Sequence, residues 1–262
     1  MEHIRQPAVA GTFYPAGRQE LQAMLDAMLA EADATGPVPK AMIVPHAGYI
    51  YSGPVAATGY ARLRQAAASI RRVILLGPTH RVPVRGLALP DVDAFSTPLG
   101  EITLDIEVMS RLLALPQVHV DAAAHQLEHS LEVHLPFLQS VLDSFTLVPL
   151  VVGDASADEV CEVIERVWGG PETLLVVSSD LSHYHDYETA QRLDAATSRS
   201  IEALALEDIG YDHACGRAPV SGLLLYARKH GLSLKTIDLR NSGDTAGPHG
   251  QVVGYGTYVL VD

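Results

Sequence analysis

Val73-Ile74-Leu75-Leu76-Gly77-Pro78-Thr79-His80 decides how this chain folds. Four consecutive apolar residues cannot alternate between a wet face and a dry one. A short run of this kind reads as a strand buried on both sides of a largely parallel sheet. Two other runs have the same form: Ala41-Met42-Ile43-Val44-Pro45-His46 upstream, and Leu174-Leu175-Val176-Val177-Ser178-Ser179-Asp180-Leu181-Ser182-His183 downstream. Each finishes on histidine. Ligands of open α/β sheets bind beyond the carboxyl ends of the strands, so three histidines brought to one edge point to a metal or proton-transfer site.

Outward from these runs, the spacing of Leu21, Met24, Leu25, Met28 and Leu29 predicts an amphipathic helix over 17–34. Further helices are expected over 54–69, 105–115, 128–143 (with Pro136 inside or near its start), 187–206 and 219–230. Ser156-Ala157-Asp158-Glu159 reads as a capping box opening another, to about residue 168. Strands are expected at 40–45, 72–77, 86–90, 146–152, 173–178, 234–239 and 251–261. Strands alternating with helices give an α/β fold with a mostly parallel central sheet. No repeat or low-complexity linker divides the chain, so residues 1–262 read as one domain.

The formal charge of −13 argues against nucleic acid and anionic membrane surfaces as partners. No run approaches the ~20 apolar residues of a membrane span, and Met1-Glu2-His3-Ile4-Arg5 lacks the apolar core of a signal peptide. A cytoplasmic protein is expected. The two cysteines, Cys161 and Cys215, form no paired motif. That speaks against a disulfide framework and against a cysteine-based zinc site.

His46 and His80, each just past a strand, are the candidate metal ligands, because neutral imidazole suits zinc, iron and copper. A carboxylate would complete a two-histidine, one-carboxylate face. Asp244 in Asn241-Ser242-Gly243-Asp244-Thr245 is the candidate, with His249 competing. Asp180 and His183 suit general acid–base work, although Asp180 or Ser182 would also serve as a helix cap. His125-x-x-Glu128-His129 matches the inverted zincin pattern, a zinc hydrolase signature that needs a regular helix, and Pro136 follows soon after. His129 serves better as a further polar group lining the pocket. No P-loop, dinucleotide-binding glycine motif or nucleophile elbow occurs.

Five segments taken together resemble the MEMO family, whose bacterial and archaeal members are called AmmeMemoRadiSam system protein B. They are Arg5-Gln6-Pro7-Ala8-Val9-Ala10-Gly11-Thr12-Phe13-Tyr14-Pro15, Pro45-His46-Ala47-Gly48-Tyr49, Gly77-Pro78-Thr79-His80, Glu128-His129-Ser130-Leu131-Glu132-Val133-His134-Leu135-Pro136 and Ser178-Ser179-Asp180-Leu181-Ser182-His183. The resemblance implies an αβα sandwich similar to the LigB-type, class III extradiol dioxygenases. Those enzymes hold Fe(II) with two histidines and a carboxylate. It further implies His46 and His80 as ligands, His183 as acid–base and His129 in the pocket wall. A tail alignment anchored on Val252 to Val261 puts Asp244 at the third ligand, where vertebrate relatives carry cysteine. Fe(II) is then the expected ion, with zinc or copper as alternatives. The family name implies AMMECR1-like and radical SAM proteins as partners. The contrasting expectation is a non-catalytic adaptor that holds a peptide or protein in the old cleft.

Overall fold

The computed structural model describes residues 3–261. Its strands are β1 (Ile4–Arg5), β2 (Ala41–Val44), β3 (Arg72–Pro78), β4 (Leu87–Leu89), β5 (Ala94–Thr97), β6 (Gly100–Thr103), β7 (Val118–Val120), β8 (Thr146–Val152), β9 (Thr173–Ser178), β10 (His183–His185), β11 (Ser233–Asn241) and β12 (Val252–Val261). Its helices are α1 (Arg18–Glu31), α2 (Tyr49–Leu63), α3 (Ile106–Leu112), α4 (Ala122–Gln126), α5 (Leu135–Val141), α6 (Ala157–Val167), α7 (Tyr187–Glu202) and α8 (Arg217–His230).

The three apolar runs become three adjacent parallel strands. The main sheet runs β10-β12-β2-β9-β3-β8-β4-β7, with β11 paired to β12. Its centre, β2-β9-β3-β8, is wholly parallel. On the flanks β12 joins β2 and β4 joins β8, both antiparallel. Val44 lies opposite Ser178, and Leu76 opposite Val177, so the ends of all three runs share one edge. Helices α1, α2 and α5 pack on one side of the sheet, and α6 and α8 on the other. Ile74, Leu75 and Leu76 are fully buried between these layers, each worth about 1.5–3 kcal/mol over an exposed position. Among the described residues no helix is long and apolar enough to cross a membrane.

Several features depart from the sequence expectations, among them the unexpected strands β7 and β10 and an α2 that begins at Tyr49. A small sheet, β1-β5-β6, stands beside the main one. The helix expected over 128–143 is instead a turn after α4, a single 3-10 turn at Glu132–His134, and the short α5. The Glu128 carboxylate accepts the backbone N–H groups of His129 and Ser130, which holds the chain in that turn. Pro136 sits in the first turn of α5, where a missing N–H removes no helical hydrogen bond.

The same region explains the motif between Arg5 and Tyr14. Buried Glu132 accepts from Arg5 Nη1 (2.8 Å), the backbone N–H groups of Ala8 and Val9, and the Tyr14 hydroxyl (2.7 Å). Arg5 also donates to the carbonyls of His125 and Glu128. A buried ion pair is tolerated only when its remaining hydrogen-bonding capacity is filled, and here it is. The N-terminal segment therefore pins the 125–132 turn beneath the site.

Candidate metal centre

His46 lies two residues past β2 and is buried. Its Nδ1 is 2.6 Å from Ser178 Oγ at the end of β9, and its backbone N–H donates to Asp180 Oδ1 (2.7 Å). Burial, and then the neighbouring histidines, push His46 well below the usual imidazole range. The ring is therefore held neutral, the form that binds a metal.

His80 lies two residues past β3. Glu128 Oε2 accepts its backbone N–H (2.5 Å), and Oε1 accepts its Nδ1–H (2.9 Å). A carboxylate behind an imidazole fixes the tautomer and leaves the Nε2 lone pair free. Burial pushes Glu128 upward, but the His80 hydrogen bond and charge and the backbone N–H groups outweigh it, so its carboxyl sits at about 2. His129 stacks on His80 with ring centroids 4.6 Å apart, and burial, then His80, lower it to about 4. His80, Glu128 and His129 also form a compact donor group. Glu128 nevertheless already answers four N–H groups, which leaves it little capacity for a metal.

The third donor beside His46 and His80 is Cys215, although its lack of a paired motif spoke against cysteine as a metal ligand. The donor atoms of these three lie within 4.8 Å of one another, and Sγ is 3.3 Å from His46 Nε2. Cys215 precedes α8, whose first residue is Arg217. Its loop is tied to the end of β9: Asp180 N–H donates to Sγ, Cys215 N–H to the Asp180 carbonyl, and Gly216 N–H to Ser179 Oγ. A Cβ at Gly216 would lie 2.4 Å from the Ser178 carbonyl, so this close approach requires glycine. Burial, reinforced by Asp180, pushes the Cys215 thiol up.

Asp244 does not join this group. It caps a 3-10 turn at the end of β11, accepting the Asn241 N–H (2.8 Å) and the Tyr187 hydroxyl. Ser242 of the same turn does line the cleft beside His129 and His183, whereas Asp244 lines a separate small hollow with Gln191, Asp194 and Arg240. His249 stacks on Tyr187 (4.3 Å) and, among the described residues, joins no group of metal donors. The zincin pattern also dissolves. His125 is buried with Nε2 donating to the Ala88 carbonyl, and the break after α4 separates it from His129. His125 instead lines a separate hollow of about 670 Å³ with Ile4, Pro90 and Leu127, where no group of metal donors converges among the described residues.

Beside the trio opens a cleft of about 340 Å³, lined by His129, Asp180, His183, Phe13, Tyr51 and Tyr255 among others. His183 Nδ1–H donates to the Leu181 carbonyl (2.8 Å), leaving Nε2 as a proton acceptor. Burial raises Asp180 to about 6, against the pull of the His46 N–H and the charge of His183. Tyr184, next to His183, is 71% exposed and has φ of +63°, a conformation costly for a bulky residue. Such strain clusters at binding sites.

Two imidazoles and a thiol fit a first-row transition ion. For metal–nitrogen bonds of about 2.0 Å and metal–sulfur of about 2.3 Å, tetrahedral ligands stand about 3.5 Å apart, close to the 3.3 Å between His46 and Cys215.

The fold and donor set thus define an α/β protein with a His, His, Cys cluster at the carboxyl edge of its parallel strands. The chain belongs to the MEMO family: the Memo-like protein family model matches residues 5–259. A MEMO1 family protein of Aquifex aeolicus is 36% identical, covering 96% of this chain and 97% of its own. One from Thermoplasma volcanium is 34% identical, covering 98% of each. In fold, the crystal structure of an uncharacterized protein from Escherichia coli K12 is similar, with TM-score 0.51 at 14% identity, over 84% of this chain and 98% of that one.

Proposed function

We propose that this chain is a metal-dependent protein of oxidative chemistry, in which His46, His80 and Cys215 hold one copper or iron ion beside the cleft. Zinc is the non-redox alternative. The observation that carries the reading is the convergence of three donors, two imidazoles and a thiol, within 4.8 Å. Sulfur in place of a carboxylate favours soft and borderline ions and disfavours magnesium or calcium.

The chain's own residues divide the remaining work. Glu128 and Ser178 orient the two imidazoles. Phe13, Tyr51 and Tyr255 give the cleft aromatic walls that suit a small organic ligand or a peptide side chain. His183, through its free Nε2, is placed to take a proton from a ligand there. Asp180, poised at about 6, is placed to share it. A bound ion would supply Lewis acidity and, if copper or iron, a one-electron redox couple. Joint action with AMMECR1-like and radical SAM proteins belongs to the same proposal.

Elemental analysis of anaerobically purified protein tests it. One equivalent of copper, iron or zinc is expected in the wild type, and below about a tenth of that in His46→Ala/His80→Ala. Equal content in both, or none in either after growth and reconstitution with all three metals, would end the reading.

A further inference from the structure

His134 is fully buried and plays no part in the chemistry above. Its ring joins a closed chain of hydrogen bonds that ends on His46. Tyr60 Oη lies 2.8 Å from His134 Nδ1. His134 Nε2 lies 2.8 Å from Ser178 Oγ, and His46 Nδ1 lies 2.6 Å from the same oxygen. Ser178 Oγ is also 2.7 Å from the Ser130 carbonyl oxygen.

The protons in this cluster can be counted. A serine hydroxyl has one hydrogen to give and two lone pairs to receive. The Ser130 carbonyl can only accept, so the Ser178 hydrogen goes there. Both imidazole nitrogens facing Ser178 must then donate. His134 is therefore protonated on Nε2, and its Nδ1 accepts the Tyr60 hydroxyl. His46 is protonated on Nδ1, so its Nε2 lone pair points toward Cys215. In the opposite His46 tautomer two bare acceptors, the Ser130 carbonyl and His46 Nδ1, would share one hydrogen. One of them would be left buried and unpaired at about 1–3 kcal/mol.

We propose that Ser178, backed by His134 and Tyr60, is a positioning unit that locks His46 in the Nδ1–H tautomer and so presents Nε2 to the metal position. Its functional value rests on the reading of His46 as a ligand, but the lock itself is a property of the metal-free protein. It makes His134 and Tyr60 part of the site although neither touches the cleft. It also parallels the Glu128 carboxylate behind His80: one ligand is oriented by an anion and the other by a neutral relay. A neutral relay adds no charge beneath a buried imidazole, where an anion would require desolvation.

The test reads the tautomers directly. Two-bond proton–nitrogen correlation spectra of ¹⁵N-labelled, chelator-treated protein at neutral pH should show His46 protonated on Nδ1 and His134 on Nε2. In Ser178→Ala, which keeps the volume, His46 should populate the Nε2–H form. Ser178→Thr, which keeps the hydroxyl, should restore the wild-type pattern. Zn(II) titration as a second readout should show affinity falling about 10–100-fold in Ser178→Ala and recovering in Ser178→Thr. Wild-type His46 protonated on Nε2 would overturn the proposal even if neither variant folds, as would an unchanged tautomer in Ser178→Ala. Failure of wild-type protein to bind zinc, copper or iron would remove the metal reading and leave the tautomer result standing by itself.

Discussion

Glu128→Gln separates orientation of His80 from mere packing. The carboxylate is buried and answers four N–H groups, two of them on His80. Its carboxyl sits at about 2 against an ordinary 4.5, a difference of about 3 kcal/mol in favour of the folded state. Because the folded value is depressed, that stabilisation is complete above the unfolded value. It drains away as pH falls from about 4.5 through about 2. Glutamine cannot ionise and keeps one acceptor oxygen, so the variant lacks this contribution at every pH. Urea unfolding of chelator-treated wild type and variant should differ by about 3 kcal/mol at pH 7 and about 1.4 kcal/mol at pH 3. Metal affinity should fall about 10–100-fold at neutral pH, as expected when the partner behind a ligating imidazole is weakened. A stability gap equal at both pH values, or below about 0.5 kcal/mol at pH 7, would refute the assignment of Glu128 as an ionised anchor.

Cys215→Ser should cost at least about 10-fold in zinc or copper affinity, since an alcohol is a poor ligand for soft ions. Asp244→Asn should leave metal content unchanged while loosening only its turn and the Tyr187 contact; competition with a chromogenic chelator measures both. Because burial and Asp180 hold the Cys215 thiol up, metal binding must displace its proton. Affinity should therefore rise about tenfold per pH unit across the neutral range, and calorimetry in buffers of different ionisation enthalpy should count about one proton released. Arg5→Ala should destabilise the fold by about 3–5 kcal/mol in urea, because it strands Glu132 as a buried, unpaired anion.

The centre of the sheet was legible because β2, β3 and β9 are apolar on both faces, a pattern that no half-exposed element shares. The carboxyl ends of those strands put His46, His80, Asp180 and His183 toward one edge from sequence alone. The 128–143 region was misread because its conformation depends on side chains meeting from afar. Glu128 captures the N–H groups of His80, and Glu132 those of Ala8 and Val9. Cys215 was missed for a related reason. A single cysteine ahead of a helix carries no local signature, and its meaning comes from the Gly216 approach to Ser178, which brings α8 against the end of β9. Asp244 could not be placed by counting back along the chain, because its partners, the Asn241 N–H and the Tyr187 hydroxyl, depend on how the turn meets α7.

Whether sulfur sits on the metal is the point on which the account turns. X-ray absorption at the edge of the bound ion, on anaerobically prepared wild-type protein, measures it. One sulfur scatterer at about 2.3 Å with two imidazole nitrogens at about 2.0 Å is the expected first shell, and the sulfur should vanish in Cys215→Ser. A shell of nitrogen and oxygen alone in the wild type would contradict the centre described here.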